Sequence, residues 1–246
     1  MKYRKRNKNI NILFVGASNT GKSSLINSMA SAELLSEGDV TEHQIFINEK
    51  GIRIFDTRGY GTDRSTDTKI KQIEIFIRDR YKSFLLEETK IQRDPFLEDS
   101  RIHLMVLFAS PASKGIKDYD IVLLRLLSNK VNTLVIIPKC DYYTAEEIQV
   151  QKRKISDLLK LNNINTFGVE EDEDAYVFAL FSGERNPVDS TYKERILPHG
   201  IADTTNEKHS DYISFMNMLD EAREDLLDLT HTHFYENYRT GMLSDQ

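Results

Sequence analysis

An α/β fold with a mostly parallel sheet flanked by helices is the fold class this sequence predicts, on three observations. Apolar runs of strand length alternate with segments of helical period. Several of the runs are continuously apolar, as strands covered on both faces must be. The connections between them are short, in a βαβα order that a parallel sheet requires. The strands fall at residues 10–15, 52–55, 102–109, 134–137 and 176–181, and the helices at 22–34, 66–91, 119–128 and 145–161. In the second helix Ile70, Ile73, Ile77, Phe84 and Leu85 keep roughly a 3.6-residue period. Ile45 to Ile47, the turn Asn48-Glu49-Lys50-Gly51 and then Ile52 read as a hairpin, adding an antiparallel edge. From about residue 190 the alternation gives way to a polar stretch, followed by a long amphipathic helix over 211–229.

Composition narrows the class further. The chain has 246 residues, 39% apolar and 29% charged, with 11 Gly and 5 Pro, so it builds a proper core and is neither collagen-like nor low-complexity. The single Cys140 makes no intramolecular disulfide, which excludes a stapled secreted fold. No run approaches the 18 or so apolar residues of a membrane span. The basic start is followed only by the short run at 10–15, unlike a secretory leader. A cytoplasmic location is expected. Net charge is −6, but Lys2, Arg4, Lys5, Arg6 and Lys8 stand in a segment without acids, which leaves −11 for the rest. The acidic run at 170–174 reads as a solvated loop.

The sharpest motif is Gly16-Ala17-Ser18-Asn19-Thr20-Gly21-Lys22-Ser23, between a strand and a helix. It fits the phosphate-loop pattern. Such a loop turns successive backbone N–H groups toward a phosphate at the positive end of a helix. Lys22 is placed to reach the β and γ oxygens, and the Ser23 hydroxyl to ligate Mg²⁺. Ile54-Phe55-Asp56-Thr57-Arg58-Gly59 follows, its Asp at the end of an apolar strand. Asp56 then holds the metal through water, and the Gly59 N–H meets the γ-phosphate. After the strand at 134–137 comes Pro138-Lys139-Cys140-Asp141. A carboxylate there accepts both the N1–H and N2–H₂ of guanine, a donor pair adenine lacks, while the Lys139 stem lies over the base. The expected ligands are GTP or GDP with Mg²⁺, on a phosphate-loop GTPase fold. Cys140 is expected to be inert.

The sequence resembles the septins from about residue 10 to 243. The most specific segment is Asp228-Leu229-Thr230-His231-Thr232-His233-Phe234-Tyr235-Glu236-Asn237-Tyr238-Arg239, similar to that family's closing motif. Asp99-Ser100-Arg101-Ile102-His103, Gly115-Ile116-Lys117 with Asp120-Ile121, and Asn206-Glu207-Lys208-His209-Ser210-Asp211-Tyr212 are also septin-like. The resemblance implies a basic arm over 1–9, a GTPase domain over 10–191 and a septin-unique extension over 192–246. It implies nucleotide contacts at Gly16 to Gly21, Lys22, Ser23, Ser24, Gly59, Lys139, Asp141 and Glu147. It adds a base-contacting Gly183, or Ser182 if the register slips by one, and a base-stacking Arg195. Thr41 is the candidate for the switch threonine of hydrolysing members. The basic residues 2–8 stand where relatives meet phosphoinositide membranes. The family's usual residues are replaced by Asn19-Thr20 in the phosphate loop, Arg58 after Asp-Thr, and Pro138 and Cys140 beside Lys139. Lys114 and His199 replace an interface His and an interface Trp, and the chain has no Trp.

The reading that follows is a cytoskeletal GTP-binding protein that assembles with itself or other septins into filaments at membranes, in cell division, with slow or no hydrolysis. Its alternative is a monomeric switch GTPase governed by turnover. Tyr60 stands where a Ras-type glutamine would orient water, which disfavours the switch. A nucleic-acid role has no binding module and faces an acidic body.

Overall fold

The computed structural model describes residues 9–61, 65–92, 98–110, 115–168, 176–187, 191–198 and 200–244. The basic residues Lys2 to Lys8, the acidic loop, Lys114 and His199 lie outside them.

The first strand, β1 (Ile10–Gly16), is buried along its whole length because it has strands on both sides and helices on both faces. Helix α1 (Lys22–Ala30) follows, then β2 (Val40–Ile47), β3 (Lys50–Thr57), α2 (Thr66–Glu88), β4 (Leu104–Phe108), α3 (Asp118–Leu127), β5 (Thr133–Pro138), α4 (Ala145–Leu161) and β6 (Val177–Leu180). The six strands form one sheet in the order β2-β3-β1-β4-β5-β6. All neighbours are parallel except β2 and β3. Alternate β1 side chains serve opposite faces. Leu13 and Val15 join α2, α3 and α4 through Ile73, Leu123 and Ile155. Ile12 and Phe14 join α1 and the C-terminal helices through Leu25, Phe215 and Leu226.

The expected alternation is therefore present, with ends adjusted by local chemistry. Helix α1 stops at Ala30 rather than near residue 34, because Ser31 turns left-handed (φ 50°) and the Asn27 side chain takes the Leu34 amide at 3.0 Å. Helix α2 stops at Glu88, where the Thr89 hydroxyl folds back onto the Leu85 carbonyl at 3.0 Å. Strand β2 is longer than the run at 45–47 suggests, since polar Glu42 and Gln44 face outward and the inward row is His43, Ile45 and Ile47.

The polar stretch after residue 190 holds a hairpin that the sequence pattern did not announce, β7 (Glu194–Leu197) and β8 (Gly200–Asp203). The long helix is not continuous: α5 (Tyr212–Glu221) and α6 (Arg223–Leu229) meet at Ala222. A wide π turn (Thr230–Tyr235) then leads into α7 (Glu236–Ser244). Thr230 and Tyr235 are both fully buried. In an α-helix, residues five apart lie about 140° apart, so only the wider turn returns both to one face. The outer edge of β6 is capped. Both the N–H and the C=O of Ala179 bond Asp211, the N–H through its carboxylate (2.6 Å) and the C=O through its backbone N–H (2.9 Å).

Candidate nucleotide site

The carboxyl ends of β1, β3, β5 and β6 converge, as open parallel sheets place their ligand sites. The loop from β1 into α1 is held by its own side chains. The Thr20 hydroxyl donates to the Ala17 carbonyl at 2.8 Å, while Asn19 and Gly21 take left-handed φ of 62° and 94°. The buried Lys22 ammonium donates to the carbonyls of Gly16 (3.2 Å) and Ala17 (2.9 Å). Burial lowers its pKa, against the opposing pull of Asp56 and Asp120.

Asp56, at the end of β3, gathers the hydroxyls. Its Oδ2 accepts from Ser23 at 2.5 Å and from Ser36 at 2.8 Å. Its Oδ1 is buried with no hydrogen-bond partner among the described residues. A buried carboxylate oxygen without a donor is costly. An all-oxygen set with one free buried carboxylate oxygen fits a hard cation such as magnesium. Thr41 is elsewhere: its hydroxyl is clasped by the Glu37 peptide, accepting from the N–H at 2.9 Å and donating to the C=O at 2.6 Å. Ser36, not Thr41, is the hydroxyl that joins Ser23 on Asp56. The sequence offered no period or motif to single it out from the loop.

Gly59 permits the next contact. A Cβ there would lie 2.4 Å from the Ser18 N and Cα, so the backbone passes flat against the phosphate loop. Tyr60 then bridges it, its N–H bonding the Gly16 carbonyl (3.3 Å) and its C=O accepting from the Ser18 amide (2.9 Å). Its fully buried phenol donates to Asp120 Oδ1 at 2.7 Å, and the Ser110 amide donates to Oδ2 at 3.1 Å. Burial and the neighbouring Asp120 carboxylate raise the phenol's pKa well above its ordinary value.

A cavity of about 360 Å³ opens on the other flank, lined among others by Thr20, Gly21, Ser24, Lys139, Gly183 and Arg195. Lys139 is left-handed (φ 56°), which turns the chain from β5 into a short 3-10 turn carrying Asp141. Asp141 does not line the cavity. Its side chain is fully buried, and Oδ2 is bound by the Arg195 guanidinium at 3.0 Å. Its Oδ1 is buried with no partner among the described residues. Burial raises the carboxyl's pKa, opposed by Arg195 and Lys139. Arg195 also lies 5.4 Å from the centre of the Tyr142 ring. Gly183 packs so closely that a Cβ would sit 2.3 Å from the Tyr192 carbonyl. Cys140 is buried, its thiol on the His209 carbonyl and pushed up to about 12 by burial, too high for a thiolate at neutral pH. Glu147 is outside this group: it is exposed, and its carboxylate and amide form a capping box with Thr144 at the start of α4.

Phosphate loop, Asp56 turn and Lys139–Asp141 turn, set on the carboxyl ends of this sheet, define a phosphate-loop GTPase fold. The septin family model matches residues 6–246, and the chain belongs to the septin family. It is 29% identical over 272 residues to the septin homolog spn3 of Schizosaccharomyces pombe, covering 96% of this chain and 73% of that protein. It is 31% identical over 268 residues to Septin-11 of Homo sapiens, again over 96% of this chain. The chain spans only 61% of the length of that relative. The crystal structure of a septin GTPase domain from Chlamydomonas reinhardtii superposes with a TM-score of 0.77 at 20% identity, over 95% of this chain and 98% of that one. Among the described residues, no helix is long and apolar enough to cross a membrane.

Proposed function

We propose that this septin holds GTP or GDP with Mg²⁺ as a structural element of subunit assembly, with slow or no hydrolysis. The observation that carries it is Arg195. Its guanidinium binds Asp141 beside the cavity, while its own hairpin exposes Ile196 and Ile201 at 78% and 59%. The nucleotide pocket and an apolar outer strip thus share one hairpin. Gly16 to Ser24 hold the phosphates, with Lys22 as the principal cation and the Gly59 N–H facing the γ-phosphate. Asp141 accepts from the guanine edge in this reading, its now buried carboxylate turning toward the cavity that Lys139 and Arg195 line. Ser23, with Asp56 through water, holds the magnesium, which neutralises phosphate charge when bound. Tyr60 supplies no group to orient a water, since its phenol is buried on Asp120.

Residues 192–246 act in this reading as the extension that presents the assembly faces. Partners are other septins or a second copy. The basic residues Lys2, Arg4, Lys5, Arg6 and Lys8 meet an anionic phosphoinositide surface. Five cations at ~1 kcal/mol each give ~5 kcal/mol, hence at best ~10⁻⁴ M binding for one subunit. Firm attachment at a membrane or division site then needs a polymer.

Sedimentation at low salt tests the assembly, run with GDP, with a non-hydrolysable GTP analogue and without nucleotide. Oligomers that strengthen with nucleotide are expected. A strict monomer in all three, alone and mixed with other septins, returns the reading to the switch GTPase. The nucleotide released on denaturation, and its GDP to GTP ratio, reports whether hydrolysis occurs.

A further inference from the structure

Resting on the magnesium-nucleotide reading above, we propose that His43 is a positioning residue for the cation site, acting through Ser36. Strand β2 alternates, and its inward positions are His43, Ile45 and Ile47. A histidine in an isoleucine row is a costly choice unless its ring nitrogen has work. His43 Nε2 lies 3.3 Å from Ser36 Oγ, and that hydroxyl donates to Asp56 Oδ2 at 2.8 Å. A hydroxyl has one proton. With that proton on Asp56, the contact with His43 requires the ring to donate from Nε2. Ser36 Oγ keeps one lone pair, on a carboxylate whose Oδ1 has no partner among the described residues. A line of four polar groups thus runs from the edge strand to the phosphate-loop helix: His43, Ser36, Asp56, Ser23. The Thr41 clasp on Glu37 shapes the turn that delivers Ser36 to it. In this proposal the lone pair and Asp56 Oδ1 are the oxygen corner offered to the cation or its bound water, the donor type a hard divalent cation takes. His43 keeps that corner assembled without touching the ion.

The test is release of a fluorescent guanine nucleotide from the full chain, followed against free Mg²⁺ and in EDTA, for wild type, Ser36→Ala, His43→Ala, His43→Gln and the double alanine variant. Ser36→Ala and His43→Ala should each raise the Mg²⁺ concentration for half-maximal slowing by about fivefold, the worth of one hydrogen bond, with the EDTA rate unchanged. His43→Gln, whose amide also donates, should recover most of the loss, and the double variant should be no worse than Ser36→Ala. An unshifted midpoint in His43→Ala overturns the proposal. So does an equal shift in the Ser36→Ala background, or a changed EDTA rate in both His43 variants, since each places the effect outside this contact. Wild-type release indifferent to Mg²⁺ overturns the underlying cation reading as well. A wild type that responds while His43→Ala matches it sinks only the role of His43.

Discussion

Asp120 is fully buried and takes its two hydrogen bonds from neutral donors, the Tyr60 phenol and the Ser110 amide. Burial pushes its carboxyl up to about 6, although Tyr60, Ser110 and Lys117 all pull the other way. The folded state therefore holds a proton that the unfolded chain releases near pH 4. This group's contribution is complete below that value and is lost as pH rises through about 6. Across pH 4–6, wild type should lose about 2 kcal/mol relative to Asp120→Asn. Urea unfolding of both proteins over that range measures it, because the other carboxylates cancel in the difference. A flat difference would refute the assignment. At the base end, Asp141→Asn should weaken guanine binding and turn preference toward xanthine, whose altered edge matches the exchanged amide. Competition among GTP, XTP and ATP decides it, and equal ATP and GTP affinity in wild type would be the wrong answer. Lys22→Ala should abolish nucleotide retention through purification.

The β7–β8 hairpin is fastened to the pocket by the Glu184 N–H on the Glu194 carbonyl (2.7 Å) and by charge at Arg195, and Gly183 packs against the residue that leads into it. Gly183→Ala puts a methyl into the Tyr192 carbonyl, which has no side-chain freedom to yield. It should cost about 2 kcal/mol, read by denaturant midpoint. Gly241→Ala in α7 meets nothing within 4 Å and should be neutral or slightly stabilising. Arg195→Ala should lower nucleotide retention and oligomer population together; sedimentation and nucleotide content that move separately would break the link. Elements with a local signature were legible in the sequence. The phosphate loop, the Asp56 turn and the α4 span declare themselves by spacing and period within a few residues. The hairpin, the break at Ala222 and the Ser36 contact do not. Ser36 meets Asp56 across 20 residues of loop and strand, and Glu147 has a helix-capping signature that position alone cannot distinguish from a ligand contact. Arg195 reads as a solvated cation until the hairpin folds it onto Asp141.

At the scale of the molecule, charge is divided: five cations in residues 1–8 against a net −11 in the rest. A basic arm on an acidic body favours an anionic surface only where the arm leads, and the attraction is screened by salt. Deleting residues 1–8 should abolish sedimentation with phosphoinositide liposomes. Retained sedimentation would refute the lipid role.

The central strand is also the first one made. Ile12 in β1 pairs with Ile54 on one side and with Leu104 on the other, and the Asn11 amide bonds the ring of His103, 92 residues on. At ~5–20 residues per second, a ribosome leaves one flank of this apolar strand bare for roughly 5–20 s. The sheet must therefore close late and non-locally, which is the slow route for any fold. A nascent chain stopped before β4 leaves that flank of β1 open along its length, and it is that intermediate, more than the finished protein, that a chaperone must hold.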